Sequence, residues 1–137
     1  MQKKLILILL AGLFSQLSFA DTCPSVKDIQ QKKIAGWKAY DSDEGTLLSA
    51  KRTKTFLHSA EQFVLAEWAT DSQKNGAIHC YYRDKNGSDL EAYLAKGHFV
   101  PDNSKVWYQV SGALQCAAKN EMCQFKNIIQ QAQLAKN

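Results

Sequence analysis

The sequence predicts an α+β domain, a mostly antiparallel β-sheet meander with one or two short helices, stapled by disulfides. Three observations carry this prediction. Short apolar runs alternate with turn residues along most of the chain, the Asn86-Gly87 pair sits between two well-patterned strands, and helical spacing is confined to brief stretches.

The first twenty residues are read as an export signal rather than as part of the domain. Lys3 and Lys4 give a positive start, Leu5 to Phe14 form an apolar run, and Ser18 and Ala20 bracket Phe19 as a signal peptidase requires. The run is shorter than the roughly twenty apolar residues that span a bilayer. Cleavage is expected after Ala20, leaving Asp21 first. Because Cys23 follows Asp21 and Thr22 instead of standing at the cut, a lipid anchor is not indicated. The resulting organisation is a signal peptide over 1–20 and one globular domain over 21–137.

In that domain, Pro24 suits a first helical position, and Val26, Ile29 and Gln30 recur at helical spacing, so a helix is expected from Pro24 to about Gln31. Ile34, Trp37, Ala39 and Tyr40 then suggest a strand, Asp41 to Gly45 a turn, and Thr46 to Ala50 a second strand. Lys51-Arg52-Thr53-Lys54 reads as a solvated loop. Ser59-Ala60-Glu61-Gln62 matches a helix capping box, yet Gln62 to Ala69 also alternates as a strand does. The strand is favoured because it lies one turn before the hairpin, and sequential strands tend to pair.

The hairpin can be argued to register. A three-residue loop, Lys85-Asn86-Gly87, with Gly87 left-handed, sets Tyr82 by Leu90, Cys80 by Ala92 and Ile78 by Leu94 on one apolar face. Arg83 then faces Asp89, Tyr81 faces Glu91 and His79 faces Tyr93 on the other. A two-residue loop would mix charge with apolar groups on both faces. Beyond Gly97, His98 to Lys105 is expected to be a loop and Val106 to Val110 a buried strand ending at Gly112. Ala113 to Ala118 and Met122 to Phe125 flank a short cysteine loop, and the tail from Lys126 has helical spacing.

Composition narrows the function classes. Removing Lys3 and Lys4 leaves 15 basic against 13 acidic residues, a net charge of about +2 that gives no electrostatic footprint for nucleic acid. An even set of four cysteines, Cys23, Cys80, Cys116 and Cys123, in an exported chain reads as two disulfides. Three pairings are open; Cys116 with Cys123 closes a short loop, and Cys23 with Cys80 then follows. Zinc would want closely paired ligands, and His58, His79 and His98 stand at no such spacing from a cysteine.

Motifs for catalysis are missing. No G-x-S-x-G or S-x-x-K is present, and a carboxylate pair drawn freely from thirteen acids carries no weight. Asp41 to Gly45 starts like a calcium loop, but Thr46 and Arg52 occupy the positions that need Gly and Glu. Asn86-Gly87-Ser88 is formally a glycosylation sequon, which the turn explains. The chain is therefore read as a non-enzyme without cofactor, metal or catalytic residues. Trp37, Trp68, Trp107, Tyr81, Tyr82 and Tyr108 are core or hairpin aromatics, some of them available to a protein partner. A homodimer is a natural expectation for such a domain, symmetric dimers being the commonest oligomers.

Five stretches carry a resemblance: Asp21-Thr22-Cys23-Pro24, Gly36-Trp37-Lys38-Ala39-Tyr40-Asp41, Leu65-Ala66-Glu67-Trp68, Ile78-His79-Cys80-Tyr81-Tyr82, and Trp107-Tyr108-Gln109-Val110-Ser111-Gly112 running on to Cys116. Together they resemble the EirA-like family of small exported bacterial proteins associated with type IV secretion. The resemblance implies a periplasmic, non-enzymatic accessory of a Dot/Icm (type IVB) machine, linked to intracellular replication and virulence, with secretion-system components as partners. It transfers no catalytic or binding residue. The contrasting reading is a secreted inhibitor, such as those that block lysozymes, presenting the acidic turn Asp41 to Glu44; a small secreted hydrolase would instead need a polar cleft.

Overall fold

Ser25, not Pro24, starts the first helix. In the computed structural model, which describes residues 20–69, 76–102 and 105–128, the Ser25 hydroxyl accepts from the Asp28 N–H and the Asp28 carboxylate accepts from the Ser25 N–H. This reciprocal cap opens α1 (Val26–Gln30), which buries Ile29. The expected signal peptide falls on residues of which 1–19 lie outside the described ones. The chain enters at β1 (Ala20–Asp21), paired with β9 (Phe125–Asn127).

After β2 (Lys38–Asp41) the expected turn forms, with the Gly45 N–H donating to the Asp41 carbonyl at 2.8 Å. The second strand expected over Thr46 to Ala50 shrinks to a single bridge between Leu47 and Tyr40. The reason is Ser49, whose hydroxyl accepts from the Arg52 N–H and caps α2 (Ala50–Ser59). The Lys51 to Lys54 run is thus a helix rather than a loop. Its apolar content is small, but Phe56 is buried edge-on against Tyr82, with ring centroids 6.4 Å apart.

The strand favoured over Gln62 to Ala69 is present as β3 (Gln62–Ala69), followed by β4 (Ile78–Arg83) and β5 (Asp89–Lys96). These three form the meander. At the hairpin tip the Arg83–Asp89 pairing and the left-handed Gly87 agree with a three-residue loop. Further from the turn the register differs from the expectation. A bulge sets Leu90, Glu91 and Ala92 against Tyr82, so Cys80 pairs with Leu94 and Tyr81 with Tyr93, while His79 faces Ala95. The slip is of two residues, so both strands keep the faces assigned to them. Ile78, Cys80, Tyr82, Ala92 and Leu94 are buried.

β7 (Tyr108–Val110) and β8 (Ala113–Cys116) form a second hairpin whose turn residues, Ser111 and Gly112, both have positive φ, as a tight two-residue turn requires. β7 is exposed along its length, against the expectation of a buried strand. It lies at the edge of a six-stranded antiparallel sheet of order β2-β5-β4-β3-β8-β7. The segment expected to be a loop after Gly97 contains β6 (Phe99–Pro101), and the start of the expected tail helix is β9; residues beyond 128 lie outside the described ones. β1, β9 and β6 make a second, three-stranded sheet, with Pro101 on an edge strand where its missing N–H is tolerated.

Both helices and the small sheet pack on one face of the large sheet. Phe99 and Phe125, with centroids 4.8 Å apart, meet Trp37 there, the Trp68 indole N–H donates to the Phe99 carbonyl, and the Tyr82 hydroxyl donates to the Pro24 carbonyl. Gly76 permits the small sheet's close approach: it is left-handed, and a side chain at its position would collide with the backbone of Phe99. Two fully buried disulfides fix the layer. Cys23–Cys80 ties the N-terminal segment to β4, and Cys116–Cys123 closes the loop around the 3-10 turn Asn120–Met122. The Asn120 side chain donates to the Cys23 carbonyl at 2.7 Å, joining the two crosslinked regions. Among the described residues, no helix is long and apolar enough to cross a membrane.

Candidate functional site

No described element covers the opposite face of the large sheet. Side-chain alternation dictates what appears there: on β4 the residues between the buried Ile78, Cys80 and Tyr82 are His79, Tyr81 and Arg83, all half-buried. Antiparallel pairing extends that choice sideways into two rows. One runs across all six strands as Lys38, Ala95, His79, Glu67, Gln115 and Tyr108, each paired with the next. The other runs Tyr40, Tyr93, Tyr81 and Leu65.

Aromatic groups pave the centre. Tyr93 lies under three rings, at 4.4 Å from His79, 5.4 Å from Tyr81 and 5.8 Å from Tyr40, and is only 9% exposed. Glu67 sits in the middle as the acceptor. Its Oε2 takes the Gln115 amide at 2.8 Å, while Oε1 lies 3.5 Å from the Tyr81 hydroxyl and 3.9 Å from His79 Nδ1. Burial pushes the His79 imidazole below the ordinary histidine range, and the Glu67 charge offsets only part of that. Burial, and then the Glu67 charge, push the Tyr81 phenol well above its ordinary range; burial and the neighbouring Tyr40 raise Tyr93 as well. At neutral pH the His79 imidazole and the Tyr81 and Tyr93 phenols are therefore neutral.

All four cysteines are in disulfides, and the Glu67–His79 separation exceeds a hydrogen bond. Beside the rows lies a shallow hollow of about 390 Å³ bordered by Lys38, Tyr40, His79, Tyr93 and Lys96. A larger groove of about 860 Å³, on the helical side, separates α1 from α2 and is lined by Ile29, Ile34 and Leu57 with Lys32, Lys54 and His58.

Compared with family models, curated proteins and solved structures, the chain finds no match.

The other residues singled out in the sequence are dispersed. The Asp41 carboxylate accepts from the Asp43 and Glu44 N–H groups and pairs with Arg52 at 2.8 Å, and the Arg52 bond holds its carboxyl below the usual range. The acidic turn is therefore closed on itself, with Asp41 already engaged. His58 is on α2, and His98 is a left-handed connector before β6. Asp84 accepts from the Asn86 and Ser88 N–H groups, which accounts for the Asn86-Gly87-Ser88 turn. Residue-by-residue reading placed His79, Tyr81 and Arg83 on one face but missed its extension to Glu67, Gln115 and Tyr108. That extension depends on β3 lying between β4 and β8, a non-local pairing.

Proposed function

We propose that this domain is a non-enzymatic accessory protein of the periplasm that works through protein contacts, and that the open face of its large sheet is the contact surface. The observation that supports this reading is the continuous half-buried face itself, two rows rich in aromatic groups that no described element covers. Tyr and Trp are favoured at protein contacts, and contiguous apolar patches on a domain surface mark interaction sites. The two disulfides fit an oxidising compartment. The resemblance to the EirA-like family supplies the finer reading, association with a type IVB secretion machine and a role in intracellular replication.

The test is a crosslinked pull-down of the tagged protein from its own cells, combined with fractionation. Secretion-machine components recovered in the periplasmic or inner-membrane fraction are the expected outcome. Release of the protein into the medium with no machine component bound would overturn the assignment.

A further inference from the structure

We infer that the open face pairs with the same face of a second copy of this chain, about a two-fold axis that runs along the strands between β3 and β4. The inference rests on the reading of that face as a contact surface and names its occupant. A face that meets itself must do so about an axis lying in the contact plane, and the side chains discriminate between the possible directions. An axis along the strands reverses each row. Reversing the row Lys38, Ala95, His79, Glu67, Gln115, Tyr108 sets His79 against Glu67 twice, at the centre, and sets the cation Lys38 against the exposed ring of Tyr108 at both ends. Ala95 then faces Gln115. The second row follows, with Tyr81 meeting Leu65.

An axis perpendicular to the strands and centred on the long row instead sets Lys38 on Lys38 and Glu67 on Glu67, a repulsive arrangement. The reversed pairing matches a neutral imidazole, as hydrogen-bond donor, with the Glu67 carboxylate, and ammonium with an aromatic face, both attractive. Sheets packed face to face lie about 10 Å apart and are inclined by roughly 30°. That inclination displaces the ends of a row more than its centre, so the His79–Glu67 contacts dominate. The size is adequate: six strands at about 4.8 Å spacing and a strand length of roughly 20 Å give on the order of 600 Å² per copy, and about 1,200 Å² in total reaches the range of specific interfaces.

The experiment is sedimentation equilibrium of the mature, oxidised chain at neutral pH. The wild-type chain is expected to dimerise. Glu67→Lys alone removes the carboxylate that His79 meets, and His79→Glu alone places Glu against Glu67, so each should weaken self-association by about tenfold or more. An equimolar mixture of the two should recover a heterodimer, because His79 of the first meets Glu67 of the second and the two new charges are opposite. If circular dichroism shows either variant unfolded, Lys38→Glu and Tyr108→Lys, both at exposed positions, repeat the same logic: weak alone and restored together. Lys54→Glu, on the helical side, should change nothing. A wild-type chain that stays monomeric at ~100 µM, a dimer that these substitutions leave intact, or a mixture that restores nothing would overturn the two-fold pairing. A monomer whose open face still crosslinks to a secretion component would leave the contact-surface reading standing and remove only the self-association.

Discussion

The two faces of the large sheet come from the same strands, yet they are finished differently. On β4 the inward residues Ile78, Cys80 and Tyr82 are at most 1% exposed, and two of them are tied to the N-terminal segment, Cys80 by the Cys23 disulfide and Tyr82 by the Pro24 carbonyl. The outward residues His79 and Tyr81 meet Tyr93 and Glu67, neighbours within the same sheet. Two tyrosines one position apart make the contrast sharp. The Tyr82 hydroxyl ends on a buried carbonyl, whereas the Tyr81 hydroxyl stands 3.5 Å from one oxygen of the Glu67 carboxylate, whose other oxygen takes the Gln115 amide. One face makes the fold; the other is covered by no described element.

That contrast predicts an ordered series of effects. Phe56→Ala removes the ring that α2 places on Tyr82, and chemical denaturation should show a loss of about 3–5 kcal/mol. The two disulfides should differ from each other. Converting Cys23 and Cys80 to Ser opens a crosslink spanning 57 residues and should cost about 4 kcal/mol, against about 2.5 kcal/mol for Cys116 and Cys123, which are 7 apart. Equal losses would show that loop length in the unfolded chain does not set the difference. Tyr82→Phe strands the Pro24 carbonyl and should cost about 1–3 kcal/mol, while Tyr81→Phe should fall within about 0.5 kcal/mol of wild type.

The smallest effect is a pH dependence. His79 is held neutral by burial, so the folded chain binds fewer protons than the unfolded chain near the ordinary histidine value of 6.5. Its contribution is complete above that value and is lost as pH falls through the depressed folded value. His79→Gln should therefore flatten the acid side of the stability profile, measured by thermal unfolding between pH 7.5 and about 5. A variant profile with the wild-type slope would assign that slope to another group.

Local chemistry was legible wherever a residue's role is set by its sequence neighbours. The Gly87 loop, the Asp41 turn and the face of every residue on β4 follow from turn residues and alternation. The α2 helix was hidden because Lys51, Arg52, Thr53 and Lys54 show no apolar stripe, and its main signals are Ser49 as cap and the pair Phe56 and Leu57. The small sheet was hidden because Phe99 and Phe125 lie far apart in sequence and its strands have two or three residues, too few for a period to show. The two-residue slip of β5 preserves side-chain alternation, so nothing in the pattern reveals it. The open face was half visible for the same reason, its β4 portion being local and its Glu67 and Gln115 portion depending on which strands become neighbours.

The most direct test of the open face as the contact surface is a photocrosslinker scan in cells that export the protein. Probes at Lys38, Gln115 and Tyr108 sample the open face; probes at Lys27, Thr55 and Glu121 sample the side that carries the helices and the short disulfide loop. The account predicts discrete protein adducts, with a second copy or with another chain, from the first set and none from the second. Adducts confined to the second set would contradict it.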